Sequence, residues 1–548
     1  MKYVSTRGNK QECSFIEAFL NSYAEDGGLF CPKEIPRISD EQMKEWSRLS
    51  FFDLSVAIMS LFVCGDDISC EDLERVLKMT YEHFHNPDLL TMKKVGVINF
   101  AELFYGPTYH VKDFSMQFIG QLLKFLVDKD DEHDRCQIYA VVVGTNSDTG
   151  AAMLAGTGYI DYRVNGFSIY PRDKIGYIQE REMISNVTSN GHSLCMEKSG
   201  IAEVLRITRD LVVHNTHRDR IHLISANSCN IVRVLCEIPI VFYTYFHSTE
   251  FPRKLSIATT STNLKSLYSL LLCRAMGLPL ERILVACPPD STVVTLFTTG
   301  HYHIPTSEGE DEEGAIYIHS NLERVLHFIV GGDVTAIMTP ILQGEEVQIP
   351  VSALHKAVPF VLALPVDEAT TSKAITLLYH SAYHYLVCPG TASMLVVIAV
   401  FVHYINTHHI TAEQVDNDAF YAAPLPSLEE AIKDVLVDKT TEVICSSIAH
   451  PGKFPYFVAE ALNAPAGNIM PKDIQSLPLR NSRISVIPNN LDFIRNYIAH
   501  ICFDCVKQFY HYPCFFPHTQ ITPISGTPFN RLNCGKRKQF QHVSVAGR

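Results

Sequence analysis

One lysine stands where the sequence changes from a tight turn to an apolar helix. Lys112 follows a Gly-Pro-Thr turn at residues 106–108, in which the proline restricts the backbone. Apolar residues at helical spacing predict the helix that follows, namely Phe114, Phe118, Leu122 and Phe125. An amine at such a junction can be shielded from water, and desolvation lowers its pKa toward the range in which it attacks a carbonyl carbon. A surface lysine before a core helix would give the same pattern.

A polar loop after an apolar run is the second candidate for chemistry. The run at residues 137–143 predicts a buried strand, and the loop residues are Thr145, Asn146, Ser147, Asp148 and Thr149. At the carboxyl end of a parallel strand, their hydroxyls, amide and backbone N–H groups could hold a carboxylate. The alternative is an ordinary strand-to-helix turn in which Asp148 or Thr149 caps the helix.

The elements around both candidates alternate between strands and helices. Apolar runs at residues 167–170, 255–260 and 282–287 predict strands, and residues 267–276 predict a helix between the last two. This alternation predicts an α/β fold with a largely parallel sheet. Residues 1–95, by contrast, predict mostly helix.

Composition indicates a globular protein of about two to four domains. The chain has 548 residues, 47% hydrophobic and 19% charged, and its net charge of −13 argues against a broad nucleic-acid surface. That charge is compatible with a local basic pocket for a phosphorylated substrate. The apolar run at residues 394–402 is too short to span a bilayer, and no signal-peptide segment follows Met1. The sixteen scattered cysteines indicate reduced thiols, so we expect a cytoplasmic protein without a membrane partner.

Cysteines and histidines near the carboxyl end could suggest a zinc site. The residues concerned are Cys502, Cys505, His511, Cys514 and His518. Their spacing lacks a clean second pair and phenylalanines surround them, so we predict packed thiols and no metal site.

Short motifs spread along the chain resemble those of one enzyme family. The window at residues 102–114 resembles the segment E-L-F-H-G-P-T-x-x-F-K-D-F, and residues 145–152 resemble a T-S-G-D-T-G loop. Further motifs follow in the family's order at residues 3–8, 24–32, 170–180, 225–233, 320–324 and 449–454. The set covers residues 1–460 and resembles the threonine synthase family, which includes threonine synthase and the vertebrate threonine synthase-like proteins.

The resemblance implies a type II pyridoxal-phosphate enzyme fold, similar to the tryptophan synthase β-chain, with two α/β domains and a helical amino-terminal region. We expect that region at residues 1–95, the cofactor-binding α/β region at 96–460, and a divergent region with a basic tail at 461–548. The implied activity is release of phosphate from O-phosphohomoserine or O-phosphothreonine, giving threonine or 2-oxobutanoate. The chain would act as a monomer or homodimer.

The resemblance also implies roles for individual residues. Lys112 would carry pyridoxal phosphate and move protons, while the loop at residues 145–149 and Arg233 would bind the substrate. Arg233 could instead serve in an interdomain ion pair. Ser447 or Ser446 could contact the pyridine nitrogen, and the cofactor phosphate would lie on a loop that contains Ser261, Thr262, Asn263 and Lys265.

Several positions depart from the family pattern where function is expected. Glycines of the family are Ser147, Thr262 and Lys265 here, its histidine is Gly390, and its threonine is Ile448. Backbone N–H groups close around a phosphate most easily at glycine. Two alternatives follow. Either the charge of Lys265 compensates for the lost glycines, or the loop no longer holds phosphate. These departures motivate an alternative function, a catalytically degenerate relative that acts as a binding or scaffold protein.

Overall fold

Two largely parallel sheets, each covered by helices, form the body of the chain. The computed structural model describes residues 1–132, 137–185, 188–304, 318–354, 358–438 and 441–509. The strands are β1 Tyr3–Ser5, β2 Phe30–Pro32, β3 Thr91–Val95, β4 Ile98–Glu102, β5 Ile138–Gly144, β6 Val164–Pro171, β7 Gly191–Met196, β8 Ile221–Ser225, β9 Leu255–Thr260, β10 Leu280–Cys287, β11 His301–Tyr302, β12 Val347–Gln348, β13 Val361–Pro365, β14 Val443–Ser447 and β15 Ser485–Ile487. The helices are α1 Phe15–Asn21, α2 Asp40–Trp46, α3 Phe51–Val63, α4 Cys70–Tyr81, α5 Lys112–Glu132, α6 Thr149–Thr157, α7 Tyr177–Ser185, α8 Ile201–Val213, α9 Ile231–Leu235, α10 Ile238–Ser248, α11 Lys265–Met276, α12 Thr292–Thr299, α13 Leu322–Val330, α14 Thr335–Leu342, α15 Val351–Leu354, α16 Glu368–Tyr379, α17 Pro389–His408, α18 Asn417–Ala422, α19 Leu428–Val437, α20 Pro455–Leu462, α21 Lys472–Ser476 and α22 Leu491–Phe509.

Serine residues begin the helices of the amino-terminal region. Ser14, Ser39, Ser50 and Ser69 are the N-cap residues of α1 to α4, and each side chain accepts a hydrogen bond from a backbone N–H of the first turn. The short strands β1 and β2 pair antiparallel beside these helices. Residues 1–95 thus contain four helices together with the strands β1, β2 and β3.

The larger sheet has the strand order β13-β10-β9-β14-β4-β3, and the smaller sheet has the order β15-β7-β6-β5-β8. Their strand pairs are parallel, except that β3 is antiparallel to β4. The α/β prediction is therefore confirmed. The strand predicted at residues 255–260 is β9, and the helix predicted at 267–276 lies within α11. Strands buried on both faces read as continuous apolar runs, which is why the sequence revealed them.

Helices α5 and α6 cross at two glycines. A Cβ on Gly120 would overlap the Gly156 carbonyl, and a Cβ on Gly156 would overlap the Met116 carbonyl. The two backbones therefore touch directly. Because α5 follows the larger sheet and α6 follows the smaller one, this contact fixes the distance between their amino ends, where both candidate sites lie.

Helix α17 is long and apolar enough, by length and composition alone, to cross a membrane. In the structure most of its length is buried against the larger sheet, where Leu395 and Val397 pack in one cluster with Leu284 and Val443. The apolar run predicted at residues 394–402 is the middle of this helix, which is longer than the run indicated.

Residues 461–509 add to the smaller sheet. Strand β15 pairs with β7, and Ile494, Ile498 and Cys502 of α22 are buried in the same cluster as Leu211 of α8. Cys502 is thus a packed thiol, while His511, Cys514, His518 and the basic tail lie outside the described residues. Within the described ranges, no three Asp, Glu, His or Cys side chains are grouped so that they could hold a metal ion.

Candidate functional site

Lys112 is the first residue of α5, and the turn that leads into it has little freedom. The Asp113 carboxylate fixes the turn by accepting hydrogen bonds from the Thr108 N–H at 2.9 Å and the Thr108 hydroxyl at 2.7 Å. Gly106 permits this contact, since a Cβ there would overlap the Asp113 side chain. The predicted junction between turn and helix is confirmed, and Asp113 is the residue that makes it rigid.

The segment after β14 holds the same turn from the other side. Residues 448–450 run antiparallel to residues 109–111, and the Val111 N–H donates to the Ile448 carbonyl at 2.8 Å. Strands β4 and β14 are neighbours in the larger sheet. Lys112 therefore lies at the carboxyl edge of that sheet, anchored by both strand ends.

The Lys112 amine lies against the polar loop of the smaller sheet. Its Nζ donates a hydrogen bond to the Ser147 hydroxyl at 3.3 Å, so a serine that replaces a family glycine contacts this amine directly. Burial lowers the pKa of Lys112 to about 8, an effect that Asp148 opposes and nearby cations reinforce. These cations are Arg233, Lys453 and Lys265. Close to neutral pH, part of the amine is therefore uncharged, as a nucleophilic lysine requires.

The loop at residues 145–149 is held by its own hydrogen bonds. The Thr145 hydroxyl accepts from the Ser147 N–H at 2.9 Å and donates to the Ser147 carbonyl at 3.0 Å. Asp148 is the N-cap residue of α6, but its side chain makes no capping hydrogen bond, so the capping alternative is wrong for this residue. Thr149 is buried at the first position of α6, whereas Asn146 is exposed.

The Asp148 carboxylate belongs to a buried ion network. Its Oδ1 lies 3.1 Å from Lys453 Nζ and accepts from the Gln179 amide at 3.3 Å, while Oδ2 lies 3.6 Å from the His110 ring. Burial raises the pKa of Asp148, but Lys453, His110 and Lys112 outweigh burial and hold the pKa well below its usual range. The carboxylate is therefore a fixed negative charge beside Lys112.

Lys453 was missed at the level of sequence, although the motif at residues 449–454 contains it. Its side chain is fully buried, and its Nζ donates to the Thr108 carbonyl at 2.9 Å and pairs with Asp148 and Glu182. Burial lowers the pKa of Lys453, but the two carboxylates outweigh burial and raise the pKa above its usual value. Lys453 thus joins the turn before α5, the loop before α6 and helix α7.

Arg233 is a buried guanidinium near the same amine. One N–H donates to the Ala226 carbonyl at 2.7 Å, and Nε has no hydrogen-bond partner. Burial lowers the pKa of Arg233 to about 10. The alternative of an interdomain ion pair is not observed in the part of the chain that the structure describes. A buried guanidinium without a carboxylate partner is suited to an incoming anion.

The loop between β9 and α11 keeps an unusual backbone without glycine. Asn263 and Leu264 have φ angles of 51° and 56°, in the left-handed region that favours glycine. In the same loop, Ser261 is buried and Thr262 is exposed. The loop opens at the amino end of α11, where backbone N–H groups and the helix dipole can hold an anion.

Lys265 is paired rather than free. Its Nζ lies 2.8 Å from Glu237 Oε2, and Glu237 Oε1 accepts from the Ser266 hydroxyl at 2.6 Å. Both side chains of the ion pair are mostly buried. The charge of Lys265 is therefore balanced by the Glu237 carboxylate. Neither predicted alternative included this ion pair.

Two other departures lie in contact at the end of β14. A Cβ on Gly390 would lie 2.9 Å from Ile448 Cδ1, so isoleucine takes space that a histidine at position 390 would use. Ser447 precedes it and is buried next to the Tyr385 phenol. The predicted hydroxyl is therefore present at this strand end, while the position after it is apolar.

Comparisons with known proteins agree with this architecture. The family model for the threonine synthase N terminus matches residues 2–81, and the model for the threonine synthase C-terminal region matches residues 429–498. Threonine synthase of Saccharomyces cerevisiae is 28% identical over 528 residues, covering 90% of this chain and 95% of that protein. Threonine synthase-like 2 of Rattus norvegicus is 28% identical over 430 residues, covering 74% of this chain and 83% of that protein.

A solved structure has the same fold. PLP-bound threonine synthase from Brucella melitensis superposes with a TM-score of 0.75 at 24% identity, covering 92% of this chain and 99% of that chain. The fold is that of the type II pyridoxal-phosphate enzymes, as the motifs implied. Both family models and relatives that match over most of the chain are those of threonine synthases, so the chain is similar to the threonine synthase family in sequence and in fold.

Proposed function

We propose that the chain is a pyridoxal-phosphate-dependent lyase that releases phosphate from a small phosphorylated amino acid. The observation that carries the proposal is the Lys112 amine, which burial brings to a pKa of about 8 within electrostatic range of Arg233, whose Nε has no hydrogen-bond partner among the described residues. The first group suits bonding to a carbonyl carbon, and the second suits a substrate phosphate. The threonine synthases among its relatives support this class of reaction, and one of them is described as PLP-bound.

The residues present fit pyridoxal phosphate. Lys112 would bond its carbonyl carbon, residues 261–265 and the amino end of α11 would hold its phosphate, and Ser447 would contact its ring nitrogen. The left-handed backbone of Asn263 and Leu264 supports this assignment, because such costly conformations persist mostly at functional sites. When bound, the cofactor withdraws electrons from the substrate and makes its C–H bonds acidic.

The side chains around Lys112 would then have separate tasks. Lys112 takes a proton from one substrate carbon and returns it to another, since its pKa allows both protonation states near neutral pH. The Thr145–Ser147 hydroxyls and the loop N–H groups would bind the substrate carboxylate. Arg233 would bind the substrate phosphate, which a guanidinium can do with two parallel hydrogen bonds.

The proposed substrates are O-phosphohomoserine and O-phosphothreonine. Loss of phosphate gives threonine when water adds to the β-carbon, and 2-oxobutanoate with ammonia when the unsaturated product is released and water instead hydrolyses its imine. Gly390 and Ile448 replace polar residues of the family pattern beside the Lys112 turn, so we expect weaker control of the late steps and more 2-oxo acid than threonine. We also propose a cytoplasmic protein, because its described cysteines are free thiols.

Phosphate release from each substrate tests the proposal. The full-length chain, saturated with pyridoxal phosphate, is expected to release phosphate, and Lys112→Ala should abolish the release. Lys124→Ala is the matched control, since Lys124 lies on the same helix in an exposed pair with Asp128. Borohydride reduction and peptide mapping should place a pyridoxyl group on Lys112; a label on another lysine would contradict the assignment.

A binding role without turnover is the second candidate. The ion pair between Lys265 and Glu237 favours it, because a carboxylate neutralises the charge next to the loop where a phosphate would lie. A folded protein, saturated with cofactor, that releases no phosphate from either substrate would support this role instead.

A further inference from the structure

Two lysines share the surroundings of one buried carboxylate. Asp148 is an electrostatic neighbour of both Lys112 and Lys453. Its direct contact, at 3.1 Å, is with Lys453, whereas the Lys112 amine donates to the Ser147 hydroxyl at 3.3 Å. The amine expected to react therefore contacts a neutral hydroxyl, and a second lysine holds the adjacent negative charge.

We propose that Lys453 is a positioning residue for Lys112. By holding Asp148 in an ion pair, Lys453 keeps this carboxylate off the Lys112 amine and leaves the amine free to react. The inference rests on the proposed function in one respect, namely that Lys112 is the reactive amine.

The geometry of Lys453 suits this task. An ammonium group has three N–H donors, and Lys453 has three acceptors in the Thr108 carbonyl, Asp148 and Glu182. Gln179 ties the pair further, because its amide donates to Asp148 at 3.3 Å and to the Lys453 carbonyl at 3.2 Å. With all its donors used, Lys453 cannot move away from Asp148 without leaving a buried charge unpaired.

The other charged groups around Lys112 do not replace Asp148. Arg233 and Lys265 are cations and disfavour a charged amine. Burial and Lys112 hold the pKa of His110 well below its usual value, so this ring is neutral. Among the groups acting on Lys112, Asp148 has the largest electrostatic effect, and it is the one that favours the charged amine.

When Lys453 is removed, the Asp148 carboxylate should therefore pair with the Lys112 amine instead. A carboxylate that comes into contact with an amine raises its pKa by about 1–3. The neutral fraction of Lys112 at pH 7 would then fall by roughly tenfold for each unit of that rise. A lysine that acted on Lys112 only through its own charge would also raise this pKa when removed, but the rise would then persist when Asp148 is replaced as well.

Acetylation of the cofactor-free, full-length protein with trace acetic anhydride measures this titration directly. The extent of labelling at Lys112, read by peptide mass spectrometry across a pH series, has its midpoint at the pKa of the amine. We expect a wild-type midpoint of about 8. In Lys453→Met the midpoint should rise by about 1–2, and adding Asp148→Asn should bring it back to the wild-type value or below.

Matched variants separate this effect from damage to the fold. Glu182→Gln removes the other carboxylate partner of Lys453 but leaves Asp148 paired, so its midpoint should stay near wild type. If Lys453→Met does not fold, the double variant Lys453→Met with Glu182→Gln has one unpaired carboxylate fewer and should show the same rise. Circular dichroism and thermal unfolding establish which variants are folded.

Two results would overturn the proposal. One is a midpoint in a folded Lys453→Met variant that stays at or below the wild-type value. The other is a raised midpoint that persists when Asp148→Asn is added, because Lys453 would then act through its own charge alone. Failure of the proposed function would look different, since wild type would release no phosphate while the labelling curves kept the predicted order.

Discussion

Ile448 occupies the space that a side chain at position 390 would need. A Cβ on Gly390 would lie 2.9 Å from Ile448 Cδ1, closer than real side-chain carbons approach. The backbone here is tied as well, because the Ile448 N–H donates to the Thr391 hydroxyl at 3.3 Å. Both residues depart from the family pattern, and their contact indicates that the two changes compensate each other in volume.

This contact predicts that positions 390 and 448 are coupled. Gly390→His alone should lower the free energy of unfolding by about 1 kcal/mol, because the flexible end of Ile448 must move to admit the ring. Adding Ile448→Thr should recover at least about 0.5 kcal/mol of that loss, since threonine lacks the Cδ1 atom. Chemical denaturation of the two single variants and the double variant measures the coupling.

Gly467→Ala is the control for this pair. Nothing lies within 4 Å of a Cβ at that position, so its effect should stay within about 0.5 kcal/mol. Strictly additive effects of Gly390→His and Ile448→Thr would show that the two side chains do not compete for space.

Burial of the Lys112 amine should cost stability below its folded pKa. This pKa falls from 10.5 to about 8 on folding, so between these values the unfolded chain binds more protons than the folded one. Stability therefore rises with pH across that window. Lys112→Met removes the buried charge and should raise the free energy of unfolding by about 3 kcal/mol at pH 7. The gain should shrink as pH rises from about 8 toward 10.5.

Urea denaturation at pH 7, 9 and 10 measures this dependence. Lys124→Met on the same helix should show no pH-dependent gain, since Lys124 is partly exposed and paired with Asp128. A difference between Lys112→Met and wild type that is constant with pH would contradict the folded pKa of Lys112.

Features that depend on residues close together in the sequence could be predicted from it. Strand β9 matched its predicted bounds because a buried parallel strand is a continuous apolar run. The junction before Lys112 was predictable because the turn and the helix each have a local signal. The family motifs then brought Lys112, the loop at residues 145–149 and Arg233 to one place, although the chain separates them widely.

The sequence did not reveal partners that the fold brings together. Asp148, Glu182 and Lys453 come from three distant segments, and a charged residue in any one of them is more often solvated. Lys265 could be identified because it stands where the family pattern has glycine. Its partner Glu237 belongs to the turn before α10 and lies in no motif. Ion pairs of this kind depend on the docking of helices, which no local pattern encodes.

Two serines contact Lys112 in different ways, which allows a matched comparison. The Ser147 hydroxyl accepts from the amine at 3.3 Å, while the Ser115 hydroxyl donates to the Lys112 carbonyl at 3.1 Å. Ser147→Ala removes an acceptor that stabilises the charged amine, so the pKa of Lys112 should fall by up to about 1. Ser115→Ala should leave this pKa unchanged. The acetylation midpoint of Lys112 measures the pKa in both variants. Equal shifts in the two variants would show that the hydrogen bond from Lys112 to Ser147 does not set this pKa.

The pairing of Lys265 with Glu237 predicts that the loop before α11 binds phosphate more weakly than it could. Lys265 Nζ lies 2.8 Å from Glu237 Oε2, so the Glu237 carboxylate weakens the attraction of Lys265 for a phosphate. Glu237→Gln removes the competing charge and keeps an oxygen that can accept from Ser266. Affinity for inorganic phosphate and for pyridoxal phosphate should then rise about fivefold, as expected for roughly 1 kcal/mol of a freed charge-assisted contact. Isothermal titration calorimetry on the cofactor-free protein measures both affinities.

Glu413→Gln is the control, because it frees the exposed Lys254 from a 2.7 Å pair and should change neither affinity. A weaker affinity in Glu237→Gln would show instead that Glu237 orients Lys265 toward the phosphate, which would make the pair part of the binding site.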